Sequence, residues 1–209
     1  MSKSLYIAEK PSVAQEFANA LKINGRRSDG YIESEQAIVT WCVGHLVTMS
    51  YPECYDPKYK RWSLETLPFL PKEFKYEVIP SVEKQFKIVS GLLNRPDVDT
   101  IYVCTDSGRE GEYIYRLVAQ MADVKDKAQK RVWIDSQTEE EILRGIREAK
   151  DETEYDNLSA SAYLRAKEDY LMGINFSRLL TLKYGQNISN YLRTGKNTVI
   201  SVGRVMTCV

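Results

Sequence analysis

A single histidine, His45, occurs in the 209 residues. The four cysteines, Cys42, Cys54, Cys104 and Cys208, are scattered with no C-x-x-C pair. These shortages exclude the usual zinc spacings and leave reduced thiols in a cytoplasmic protein as the simpler reading. No apolar run approaches the roughly 18 residues that a membrane span needs. The opening MSKSLYIAEK has no signal-peptide apolar region, so no membrane partner is expected. A G-x-x-x-x-G-K-[ST] phosphate loop is absent, and ATP is therefore not implied. Net charge is missing too, with 29 basic against 29 acidic residues. That total decides nothing about nucleic acid, which is bound by local patches.

What is present reads as an ordinary globular core, 43% hydrophobic and 28% charged. Leu5-Tyr-Ile-Ala8 predicts a short buried strand, and Pro11-Ser12 opens a helix carrying Val13, Phe17, Ala20 and Leu21. Tyr31–Ser34 and Gln36–Cys42 read as two strands around a short turn. Gly44 to Trp62 is an aromatic, proline-punctuated loop containing His45. Ser81 is expected to cap a helix through Leu93. Thr100–Cys104 is a continuous apolar strand, and helical spacing resumes from Glu110 to Met121. Arg131-Val-Trp-Ile134 reads as another buried strand. Ser136-Gln-Thr138 before three glutamates announces a further helix. Strands alternating with helices imply an α/β fold, a mostly parallel sheet with helices on both faces. Beyond about residue 150 the strand signal stops, and Tyr155 to about Tyr184 is helical. The expected division is 1–150 and 151–209, the latter a partial helical domain. The apolar ending, without a polar tail, reads as a fragment of something longer.

Two predicted strands run straight into acids, Ala8-Glu9 and Cys104-Thr105-Asp106. In parallel sheets, ligands sit beyond the carboxyl ends of strands. If the two strands are neighbours, Glu9 and Asp106 converge and Glu110 joins them. Three such carboxylates repel unless a cation offsets them, and Mg²⁺ accepts hard oxygen ligands and phosphates together. Lys10 and Arg109 could face the same phosphate. Asp106 reads equally well as a helix cap, and Glu110 as a helix-start acid.

The segments IAEKPSVAQEFANAL, TDSGREGE and SVGRVMT carry a resemblance. So do WCVGHLVTMSYPECYDPKYKRWSLETLPFLP, RVWIDSQTEEEILRGIREA and LRAKEDYLMGINFSRLLT. In this order they resemble the type IA DNA topoisomerases, most nearly the topoisomerase III branch. The resemblance implies a Toprim domain followed by the start of a single-strand DNA-binding domain. It implies Mg²⁺ held by Glu9, Asp106 and Glu110, with Glu9, Lys10 and Arg109 in catalytic roles. Arg165, Asp169, Arg178 and Arg204 match DNA-binding positions. DNA, mainly single-stranded, is the implied substrate, and a helicase partner is implied for the complete enzyme. Such an enzyme breaks, passes and rejoins strands through a 5′-phosphotyrosine.

The sequence departs from the family pattern in three places. Gly108 replaces the middle acid of D-x-D, which reduces the expected site to one Mg²⁺. Met206 and Cys208 replace a glutamine and a proline of the closing motif. None of the 14 tyrosines lies in a Y-P-R-T-D context, so the nucleophile is absent from this sequence. Two other classes stay open on the residues alone: a Toprim primase or nuclease, and a non-catalytic DNA-binding module. His45, Trp41, Trp62 and Trp133 read first as structural. Lys58, Lys60 and Arg61 read as a solvated loop. Helical phase does not place Arg165 and Arg178 on one face.

Overall fold

Residues 2–196 and 198–203 are described in this computed structural model. Contacts divide the chain into two units, 1–48 with 76–162 and 49–75 with 163–209. The first is organised by the apolar run at Leu5–Ala8, the centre of β1 (Lys3–Ala8). β1 pairs in parallel with β4 (Ala37–Trp41) on one side and β7 (Val98–Cys104) on the other. β8 (Ala128–Arg131) extends the parallel set beside β7. Antiparallel strands finish both margins: β2 (Arg26–Ser28) and β3 (Tyr31–Glu33) beyond β4, and β9 (Lys150–Asp151) beyond β8. The order across the sheet is β2-β3-β4-β1-β7-β8-β9, and β5 (Val47–Met49) with β6 (Tyr76–Val78) forms a separate pair.

Alternation along β1 supplies both faces of the core. Tyr6 and Ala8 pack with α1 (Pro11–Ala20) and with Ile142 of α4 (Glu139–Arg147). Leu5 and Ile7, also buried, point to the opposite face, where α2 (Glu83–Leu93) meets β7 and α3 (Arg109–Met121). The expected mostly parallel sheet with helices on both faces is what forms. Two local expectations are corrected. The strand expected at 131–134 ends at Arg131, three residues after it starts, and only the Val132 N–H to Val103 carbonyl bond (2.9 Å) continues the ladder. Ser81 caps nothing: it lies in a one-turn segment, Pro80–Val82, and α2 starts without a side-chain cap. By contrast, Thr138 does cap α4, accepting the Glu141 N–H.

The second unit pairs the C-terminal part of α5 (Asp156–Leu192) with residues 49–75, which precede it by a hundred positions in the chain. Phe69 is its buried anchor, edge-on to Tyr55 and Tyr59 at 5.2 and 5.0 Å. Asn175 grips the same residue through its backbone, accepting the Phe69 N–H (2.6 Å) and donating to the Phe69 carbonyl (2.9 Å). Tyr170 donates to the Ser50 carbonyl at 2.6 Å.

Behind the sheet of the first unit lies a buried charge network. Arg131 and Glu112 are both fully buried, their Nε and Oε2 3.1 Å apart. Arg116 reaches Glu112 (2.8 Å), Glu152 (3.2 Å) and Asp156 (2.9 Å). Burial, and then the charge of Glu112, push the Glu152 carboxyl up to about 8. Because the folded state holds that proton more tightly than the unfolded chain, stability is highest at or below the ordinary carboxylate range. It falls as pH rises toward 8. Glu152→Gln, which imitates the protonated acid, should remove this slope. The melting-temperature difference between variant and wild type should grow in the variant's favour from pH 5 to pH 9; a pH-independent difference would remove Glu152 from the account.

Candidate active site

Parallel pairing sets Ala8 of β1 directly beside Cys104 of β7, so the chains leaving both strands emerge together. Glu9 follows one and Asp106 the other. Glu9 is almost fully buried, 6% exposed, and its Oε2 accepts the Asp106 backbone N–H at 3.3 Å. Lys10 Nζ lies 3.7 Å from its other oxygen. From the β4 side, the Gly44 N–H donates to the Glu9 carbonyl at 3.2 Å, with Gly44 in the left-handed region (φ +76°). The Glu9 side is thus tied from two neighbouring strands.

The loop after β7 is held from beneath by Arg131. Its guanidinium donates to the carbonyls of Val103 (3.1 Å), Thr105 (2.8 Å) and Asp106 (2.7 Å). The Val103 carbonyl also accepts the Val132 N–H; past that last ladder bond carbonyls need other partners, and a charged donor serves them better than a neutral one. Thr105 Oγ1 donates to the Gly111 carbonyl at 2.7 Å, and Ser107 Oγ bridges to Ile134, accepting its N–H and donating to its carbonyl. Gly111 is required by close approach: a Cβ there would lie 2.1 Å from the Asp106 carbonyl oxygen. Gly108 is the reverse case. Its backbone is extended (φ 169°) and a Cβ would meet nothing within 4 Å. The missing acid of D-x-D is therefore not a steric requirement of this loop.

Asp106 does not cap α3, because the N-cap position is Gly108 and no side chain bonds there. The helix-cap reading of Asp106 is thereby set aside, and the exposed Asp106 meets Glu9 through its backbone N–H. The site therefore brings Glu9, Lys10 and Asp106 together. Glu110 is placed differently: its Oε1 pairs with His45 Nε2 at 2.5 Å. Among the described residues no three acid, histidine or cysteine side chains stand close enough to share one ion. Arg109 is exposed as the first residue of α3. In the second unit, Arg165 and Asp169 are exposed on α5. Arg178 is buried there, donating to the Tyr59 carbonyl (3.0 Å) with its guanidinium 5.2 Å over the Trp62 ring. It lines a cavity of about 340 Å³ with Tyr51, Lys60, Trp62 and Ser177. Arg204, Met206 and Cys208 lie outside the described residues.

Two side chains that contact the site escaped the sequence reading. Arg131 looked like one more strand residue, and its pairing with Glu112 spans 19 positions without any periodic signal. His45 stands next to a predicted strand, but nothing local connects it with Glu110. Burial disfavours the thiolate form of the two thiols nearest the site. Burial pushes Cys42 up to about 12 and raises Cys104 well above its ordinary value. The remaining donors are all hard carboxylate oxygens beside a cation. That set fits Mg²⁺, which binds through one or two carboxylates and completes its shell with water and phosphate.

Residues 4–136 match the Toprim domain family. The chain belongs to that family. As a Toprim chain it is similar to DNA topoisomerase 3 of Staphylococcus epidermidis, at 46% identity over 187 residues, or 90% of this chain and 26% of the relative. DNA topoisomerase 3 of Bacillus cereus is similar at 44% over 207 residues, or 99% of this chain and again 26% of the relative. The Toprim chain thus spans about a quarter of the length of the curated relatives it matches.

The two glycines of the Toprim loop give a paired test. Gly111→Ala must move the Asp106 carbonyl and should cost about 2 kcal/mol or more, as overpacking does. Gly108→Asp should fold with stability within about 0.5 kcal/mol of wild type, as for an unobstructed surface position. Urea denaturation of both variants decides it, and equal losses would contradict the assigned geometry.

Proposed function

We propose that this chain supplies the Toprim centre and adjoining helical segment of a topoisomerase III-like type IA enzyme. The complete enzyme would break one DNA strand, pass another through the gap and rejoin it. The observation carrying this reading is the meeting of Glu9 and Asp106 from separate strand tips beside Lys10, in a chain similar to DNA topoisomerase 3 along nearly its whole length. Residues 1–150 are assigned to the Toprim domain and 151–209 to the start of a DNA-binding domain.

Glu9 and Asp106 would hold Mg²⁺, with Glu110 as a third ligand; the ion would offset their charge and bind a phosphate oxygen. Lys10 contributes a point charge and Arg109 a planar fork toward the scissile phosphate. When a tyrosine hydroxyl bonds to phosphorus and gives up its proton to solvent, the 3′-oxygen leaves and takes up a proton that Glu9 would relay. That tyrosine belongs to a part of the complete enzyme not contained in this sequence.

Charge distribution supports the assignment of DNA to the second unit. Residues 49–75 and 163–209 carry twelve Lys and Arg against six Asp and Glu, while the rest carry 17 against 23. The zero total therefore conceals a surplus of six positive charges in one unit and an equal deficit in the other. Arg165 and Arg204 would contact the backbone, Asp169 would orient them, and Arg178 would act from its cavity. A preference for single strands, a helicase partner and a cytoplasmic setting complete the proposal. No helix among the described residues is long and apolar enough to cross a membrane.

In the complete enzyme, Glu9→Gln should lower supercoil relaxation by about a hundredfold or more, the scale of a lost acid–base group. Oligonucleotide binding by this chain should survive the same change and weaken steeply with salt. Mg²⁺-dependent nicking without a protein–DNA adduct would instead favour a Toprim nuclease.

A further inference from the structure

His45 is neither on the sheet nor in the core, yet it makes one of the closest side-chain contacts at the site. It follows Gly44, whose left-handed backbone turns the chain back after β4 and whose N–H is fixed on the Glu9 carbonyl. The ring is braced edge-on by the buried Tyr113, with centroids 6.0 Å apart. Its Nε2 meets Glu110 Oε1 at 2.5 Å. A neutral imidazole with its proton on Nε2 can donate this bond, so no change of protonation is needed to form it. The acceptor, by contrast, is open to solvent: the Glu110 side chain is 72% exposed, against 37% for His45. A braced donor and an exposed acceptor on a long side chain make a contact that can be left without disturbing the fold.

We propose that His45 is a positioning residue that parks Glu110 away from the Glu9–Asp106 pair, and that a divalent cation arriving there takes Glu110 from it. The inference rests on the metal reading above and deepens it. It explains why three acids adjacent in the loop geometry do not form a three-ligand group among the described residues. It also gives the ion-free protein a way to hold three neighbouring carboxylates, because the most exposed one is bonded elsewhere. His45 and the cation compete for one carboxylate, so the free-state contact weakens ion binding by its own strength.

The lone histidine makes the exchange directly visible, because the chain gives a single set of imidazole resonances. Mg²⁺ is titrated into wild-type chain and followed by the His45 ring signals in nuclear magnetic resonance and, in parallel, by calorimetry. The ring signals should shift along the same isotherm as the heat. Glu110→Gln should shift them before any metal is added and suppress their response to Mg²⁺. His45→Ala should bind Mg²⁺ about three- to tenfold more tightly, the range for a partly exposed bond to a charged group. His45→Gln, which keeps an amide donor near the position of Nε2, should return to the wild-type affinity. If calorimetry shows Mg²⁺ binding while the imidazole signals do not respond, or His45→Ala binds equally or more weakly, the exchange is overturned and the metal reading stands. If neither readout detects Mg²⁺, the metal reading fails and the exchange fails with it.

Discussion

The geometry of the candidate site depends on one buried cation. Arg131 has no access to solvent, and desolvating a guanidinium costs several kcal/mol unless its donors are met. Here the terminal donors are met by the carbonyls of Val103, Thr105 and Asp106, while the charge is offset by the Glu112 carboxylate, 3.1 Å from an Nε that has no hydrogen-bond partner of its own. The cost of burial is offset only when those carbonyls converge, which is the curvature that carries the chain from β7 over the sheet edge and presents Asp106. Glu112 belongs to α3, so the same guanidinium also fixes where the helix begins relative to the strand. Gly111 lets the helix approach the Asp106 backbone closely enough for this arrangement.

The parallel register then does the rest. With Ala8 opposite Cys104, an acid one residue beyond β1 and another two residues beyond β7 arrive at the same place. Glu9 is tied there by the Asp106 N–H on one side and by Gly44 on the other. The acids are thus held by backbone that is itself held, while Lys10, Arg109 and Glu110 are exposed, with Glu110 bonded to His45 and Lys10 beside Glu9.

Much of this was legible in the sequence because it is local. The apolar runs at Leu5–Ala8 and Thr100–Cys104, Pro11 at a helix start and Thr138 before three glutamates each announce an element through nearby residues. The convergence of Glu9 and Asp106 followed from assuming that their strands are neighbours. What was not legible is non-local. Arg131 reads as a strand residue, and only the fold reveals that its side chain runs back under β7 instead of continuing a strand to Ile134. Residues 49–75 return to α5 through Phe69 and Asn175, more than a hundred positions apart. Net charge failed for the same reason: its two halves cancel in the sum and separate only in space.

The most direct test of the central claim changes Arg131 and leaves every acid in place. Mg²⁺ is titrated calorimetrically into Arg131→Lys beside wild type, below the melting temperature of both. Lysine keeps the charge but cannot serve three carbonyls and Glu112 with one planar group. The account predicts one bound ion in the wild type and at least about tenfold weaker binding in the variant, the scale of losing a group that orients a ligand. Unchanged affinity in a folded Arg131→Lys chain would contradict it.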